Sequence, residues 1–209
     1  EKVKIANITF EGNEFFQTSK LRKQMKGTKV KNANFFRASK FINEKYEEDK
    51  LKLKTFYNDN GFKDFTIVSD SLYTVSEDRV GLIIRVEEGS QYFLRNIDWV
   101  GNSVYRKEAL EQVFNVKKGS VYNQSLIEDR LNGTGGAQDA VSSLYQDYGY
   151  LFSRLSPVEA KVENDSVDLE VRIYEGDQAY LNNVLIDGNT RTNEHVARRE
   201  LYTLPGDLF

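Results

Sequence analysis

The sequence predicts an α+β fold made of tandem units, each a β-α-α-β-β string whose three-stranded mixed sheet is covered by two helices. Three observations carry this reading. Short strings recur at a spacing of about 88 residues. ITFEGN (Ile8 to Asn13) returns as IDWVGN (Ile97 to Asn102) and VLIDGN (Val184 to Asn189); YNDNGF (Tyr57 to Phe62) returns as YQDYGY (Tyr145 to Tyr150), and VEEG (Val86 to Gly89) as IYEG (Ile173 to Gly176). Self-similarity at a fixed period marks one supersecondary unit per repeat. Within each unit a helical stripe and a clean strand alternation follow in the same order. The marks divide the chain into 1–89, 90–176 and a truncated third unit, 177–209. That last piece is too short to bury a core of its own; it is expected to lean on unit two or to pair its strand with a neighbouring molecule.

Each unit opens on an extended segment that ends at Gly-Asn, residue types suited to a strand-to-helix turn. Apolar residues fall at Val3 and Ile5, then at Ile8 and Phe10, so the alternation slips by one near Asn7. The slip recurs at Asn96 and Asn183, and reads as a β-bulge or as the point where a linker becomes strand. A short helix follows: Ser19 to Met25, Arg106 to Phe114 and Glu194 to Tyr202. A longer helix comes next, with Ile42, Tyr46, Leu53, Phe56 and Tyr57 in one unit and Val141, Leu144, Tyr145 and Tyr148 in the other. Gly61 and Gly149 stand where a helix C-terminal glycine is expected. In unit two this helix is interrupted at Asn132-Gly133-Thr134-Gly135-Gly136, a break rather than a phosphate loop, which needs a preceding strand and usually a lysine.

Two strands close each unit. The second runs over roughly Asp64 to Val75 and Leu151 to Val162, with hairpin turns at Glu77-Asp78 and Asn164-Asp165. In the last strand Val80, Leu82, Ile84 and Val86 alternate with more polar neighbours, as do Val167, Leu169, Val171 and Ile173. The linkers Gly89-Ser90-Gln91 and Gly176-Asp177-Gln178 are short, which predicts a jointed, semi-rigid rod.

Composition narrows function. With 39% hydrophobic and 12% aromatic residues there is material for packed cores. No run approaches the ~18 apolar residues of a membrane span, and the chain opens on Glu1 rather than on a signal segment, so a soluble piece of a longer protein is expected. The absence of Cys removes thiolate nucleophiles and Cys-based zinc sites, and a lone His195 supplies no multi-His metal site. No catalytic residue, cofactor or metal is predicted. Glu87, Glu88 and Glu175 are the acids a carboxylate-dependent hydrolase would use, but they end strands in different units. Residues 1–60 carry 14 Lys plus Arg against 8 Asp plus Glu. The overall charge is nevertheless −3 and the basic stretch stops there, which argues against nucleic acid.

The Gly-Asn turn, the Tyr-x-x-x-Gly-aromatic string and the closing Glu-Gly together resemble the POTRA domain. The strings IDWVGN, LYQDYGYLF, SPVEA and GNTRTNEHVARREL, with PGDLF (Pro205 to Phe209) after the last, resemble the periplasmic region of the BamA family of outer-membrane β-barrel assembly factors. The resemblance implies a non-enzymatic scaffold on the periplasmic face of the bacterial outer membrane. It would receive unfolded outer-membrane protein chains, dock accessory assembly lipoproteins and precede its own C-terminal membrane barrel, with unit three the last before that barrel. It implies no small-molecule substrate. A two-partner-secretion transporter or a TamA-like translocation factor shares the same unit and is the alternative.

For such a fold the physical route to a client is β-augmentation at an exposed sheet edge. Pro157 lies in the second strand of unit two, and proline within sheets is confined to edges and bulges, so the second strand is the expected edge. In unit one that stretch has no proline; Phe65, Thr66, Ile67, Val68 and Ser69 are its candidate docking residues. Arg22, Lys23, Lys26, Lys29 and Lys31 form a candidate basic contact surface for an acidic partner or anionic headgroups, against the plainer reading of a solvated helix face.

Overall fold

The computed structural model describes residues 3–30, 41–136, 138–188, 191 and 193–209. The chain resolves into two compact units, one of 1–95 with 118–124 and 162–167, the other of 96–117, 125–161 and 168–209. The elements run β1 (Lys4–Glu11), α1 (Thr18–Gln24), α2 (Asn43–Asp59), β2 (Thr66–Ser76), β3 (Arg79–Glu87), β4 (Phe93–Val100), α3 (Lys107–Phe114), α4 (Gln124–Asn132), α5 (Val141–Asp147), β5 (Arg154–Glu163), β6 (Ser166–Tyr174) and α6 (Glu194–Arg199). Two mixed three-stranded sheets result, ordered β1-β3-β2 and β4-β6-β5. No helix among the described residues is long and apolar enough to cross a membrane.

In the first sheet β1 runs parallel to β3 and β2 antiparallel to it. The register of β1 shifts between Ile5 and Asn7, so the slip read from the sequence is a β-bulge at Ala6. The bulge re-aims the strand so that Ile5, Ile8 and Phe10 all enter the core with Leu82, Ile84 and Val86. From above, α1 contributes Leu21, and α2 contributes Tyr46, Leu53 and Tyr57. The fourth buried position of α2 is Asp49, which no apolar stripe reveals. Its carboxylate accepts the Gly27 and Thr28 N–H groups at 3.1 and 2.5 Å and the Lys52 ammonium at 3.0 Å. A buried charge is tolerated when its lone pairs are filled in this way.

The second sheet follows the same plan, with Leu110 and Phe114 of α3, Ile127 and Leu131 of α4, and Val141 and Tyr145 of α5 against Val167, Leu169 and Val171. The glycine-rich break separates α4 from α5, as expected. The third unit's strand departs from expectation. Residues 181–188 form no strand, and Tyr180 makes only an isolated bridge to Leu208. β1 and β4 are held by β3 and β6, whereas the third copy has no such neighbour among the described residues. Accordingly α6 stops at Arg199 and buries nothing. The stretch does lean on unit two: the Ala179 N–H donates to the Gly149 carbonyl at 2.8 Å, and Gln178 Nε2 to the Tyr148 carbonyl at 3.1 Å.

Candidate strand-docking edge

The recurring strings turn out to be parts of one knot. Glu88, just past β3, is 8% exposed; its carboxylate accepts the Glu14 and Phe15 N–H groups at 2.9 and 2.7 Å and the Tyr57 hydroxyl at 2.7 Å. In the second unit Glu175 accepts the Ser103 and Val104 N–H groups at 2.8 and 2.9 Å, the Tyr145 hydroxyl at 3.1 Å and the Ser103 hydroxyl. The preceding glycines make the approach possible. Gly12 and Gly101 sit at φ +86° and +88°, and a Cβ there would fall 2.1 Å from the Val86 carbonyl oxygen and 2.2 Å from that of Ile173. Asn13 and Asn102 then brace the turn by donating to the Phe16 and Tyr105 carbonyls. Burial, and then the facing carboxylate, push both tyrosine hydroxyls upward in pKa, so they stay protonated donors. Glu88 and Glu175, two of the three acids that a hydrolase would use, are thus engaged in holding the strand ends.

This frame leaves β2 at an edge of its sheet, as Pro157 leaves β5, although β1 and β4 are edges too. β2 is exposed along nearly its whole length. Thr66 and Ser69 are solvent-facing and pair with Glu87 and Arg85, and Ile67 is half-buried against Val86. Val68 sits in a register shift with 56% of its surface exposed. Phe65 lies one residue before the strand, buried and stacked on Tyr57 with ring centroids 3.9 Å apart. Its side chain is core. A second shift between Thr74 and Ser76 leaves Val75 half exposed, so the regular ladder runs from Ser69 to Thr74.

β2 is anchored on both faces. On the helix side Asp70 accepts the Tyr46 hydroxyl at 2.9 Å and the Lys50 ammonium at 3.2 Å. On the other side the Tyr73 ring crosses β3 over Gly81, where a Cβ would lie 2.3 Å from it, and its hydroxyl exchanges hydrogen bonds with the Asn7 amide on β1 at 2.8 and 3.0 Å. Neither anchor was read from the sequence. The only signal was a glycine at mid-strand, which often marks a close approach.

The basic residues are partly assembled. Arg22, Lys23, Lys26 and Lys29 line a hollow of about 620 Å³ with Ile8, Met25, Thr28 and Val30; Lys31 lies outside the described residues. Arg22 differs from the lysines in reaching the backbone, with Nε donating to the Ile8 carbonyl at 2.8 Å and Nη2 to the same oxygen.

Comparison with known proteins places this geometry. The family model described as POTRA, surface antigen variable number repeat, matches residues 3–89 and 92–176. Outer membrane protein assembly factor BamA of Neisseria meningitidis serogroup B is 31% identical over 208 residues, 96% of this chain and 25% of that protein. A putative outer membrane protein assembly factor of Treponema pallidum is 26% identical over 98% of this chain and 24% of its own length. The chain therefore spans about a quarter of the curated relatives it matches. POTRA domains 3–5 of BamA from Haemophilus influenzae superpose over the whole chain, and over 80% of that chain, with a TM-score of 0.65 at 21% identity, which establishes the fold.

Proposed function

This chain belongs to the POTRA family, and on that premise we propose that it is the periplasmic scaffold of an outer-membrane protein assembly factor, divided at 1–89, 90–176 and 177–209. The scaffold takes up extended segments of unfolded outer-membrane proteins by adding them to the free edge of β2. The observation that supports this most is β2 itself, an edge strand rich in β-formers, exposed on both faces and stiffly mounted. Because the Phe65 side chain is core, the docking edge in this reading starts at Thr66, Ile67, Val68 and Ser69 and continues along β2 to Ser76. Accessory lipoproteins dock on the same class of edge, and the hollow lined by Arg22, Lys23, Lys26 and Lys29 suits an acidic partner. A client making four or five backbone hydrogen bonds gains roughly 0.5 to 1.5 kcal/mol from each. Association costs about 4 to 15 kcal/mol. Binding is therefore weak and sequence-tolerant, as a step that must release its client requires.

A pair of proline substitutions tests the edge. In an antiparallel ladder neighbouring residues turn their N–H groups to opposite sides. Of Ser71→Pro and Leu72→Pro, one removes an outward donor and the other a ladder donor to β3. The outward one is expected to weaken anisotropy-detected binding of a labelled, alternating Val/Thr peptide about fivefold or more at unchanged thermal stability. Arg106→Ala, remote from the edge, serves as control. Equal binding by all three variants would end the proposal.

A further inference from the structure

We propose that Arg22 is an edge guard that closes β1 to strand addition and makes the first sheet one-sided, and that the second sheet, which carries Glu111 at that position, is open along the end of β4. A three-stranded sheet has two edges, and specific docking at one requires the other to be blunted. The outward-facing groups of β1 follow from its alternation. The Val3 carbonyl accepts the Phe41 N–H at 2.9 Å, whereas the Lys4 N–H donates to Asp78 beside β3. Counting by two, with one extra residue at the bulge, places Val3, Ile5, Ile8 and Phe10 with their backbone groups toward the free edge. Arg22 fills the Ile8 carbonyl with two of its donors and lays its guanidinium where an incoming strand would run.

The repeats supply an internal comparison. Arg198, fourteen residues past Val184, donates through Nη2 to the Val184 carbonyl at 3.1 Å, although that stretch forms no strand. The equivalent of Ile8 and Val184 is Ile97, and fourteen residues on stands Glu111, whose carboxylate pairs with Lys107 at 3.8 Å. A carboxylate has no proton to give a carbonyl. The start of β4 is covered in another way: Leu94 exchanges hydrogen bonds with Ser120 and Gly119, and the Tyr122 N–H donates to the Tyr92 carbonyl. Among the described residues that cover stops before Ile97, so the open stretch is Ile97 to Val100. Its occupant is an extended peptide strand, the same chemistry that β2 takes, and the inference rests in that respect on the reading above.

Amide spectra of the 209-residue chain with a ten-residue alternating Val/Thr peptide carrying a terminal nitroxide read each edge separately. In the unaltered chain the amides of Ile97 and Trp99 should lose at least half their intensity while those of Ile8 and Phe10 keep theirs. Arg22→Met should bring Ile8 and Phe10 down by twofold or more, Arg22→Lys by less, and Glu111→Arg should restore Ile97 and Trp99. The last variant adds a donor rather than removing one, so it tests the idea even if Arg22→Met folds poorly. Silent Ile8 and Phe10 in Arg22→Met, or silent Ile97 in the unaltered chain, would overturn the guard. Silence at Ser69 to Thr74 alone would instead count against docking at β2 and leave the guard standing.

Discussion

The two complete units tie the same knot in different surroundings. Around Glu88 the neighbours are phenylalanines: Phe15, Phe16, Phe56 and Phe62 pack edge to face about Tyr57, and the carboxylate is nearly dry. Around Glu175 they are tyrosines, with Tyr105 and Tyr150 against Tyr145, and the carboxylate is partly solvated. Ser103 stands where the first unit has Glu14 and adds a side-chain donor. Burial works against the Glu175 charge, yet the donors from Ser103, Val104 and Tyr145 outweigh it and hold the carboxyl below its ordinary value. One geometry thus serves as a dry tie in the first unit and a wet one in the second.

The contrast is sharpest in paired substitutions. Glu88→Leu leaves a buried hydroxyl and two backbone donors unmatched and should cost about 3 kcal/mol or more, whereas water can replace Glu175, so Glu175→Leu should cost about 1 kcal/mol. Urea denaturation of each variant measures this, and equal losses would break the comparison. The outer sheet faces differ next. Gly81 faces Tyr73 in the first sheet, while the positions 87 residues on carry Asp168 and Ala160, so large and small are exchanged. Gly81→Ala should cost about 1 to 2 kcal/mol by displacing the Tyr73 ring, and Tyr73→Ala in the same chain should recover part of it. The smallest effect is in pH. Since the folded Glu175 carboxyl lies below its unfolded value of about 4.3, its stabilisation is complete above that value and is lost as the pH falls through the folded one. Melting temperature should decline less steeply below pH ~4.5 in Glu175→Gln than in the unaltered chain.

Most of the element order was legible because it rests on local periodicity. Helix ends at Gly61 and Gly149, the bulge beside Asn7, and the break after Asn132 all reflect backbone preferences that act within a few residues. Tyr57, Glu88 and Gly12 were visible as recurring marks, but their meeting was not, since they are separated by up to 76 residues and joined only by folding. Phe65 misled for a related reason: as a β-former beside a strand it looks like docking surface, and only packing on Tyr57 makes it core. Asp49 was hidden because a charged residue at a core position is stable only when partners from another segment reach it.

The sequence alone determined the repeat, the mixed α+β class and the poverty of catalytic residue types, because these depend on composition, on the short periods within an element and on strings that recur along the chain. Tertiary structure alone decided which backbone groups are free. Whether a carbonyl such as that of Ile8 meets water, a strand or the Arg22 guanidinium depends on a side chain fourteen residues away, and that reach leaves no period in the chain.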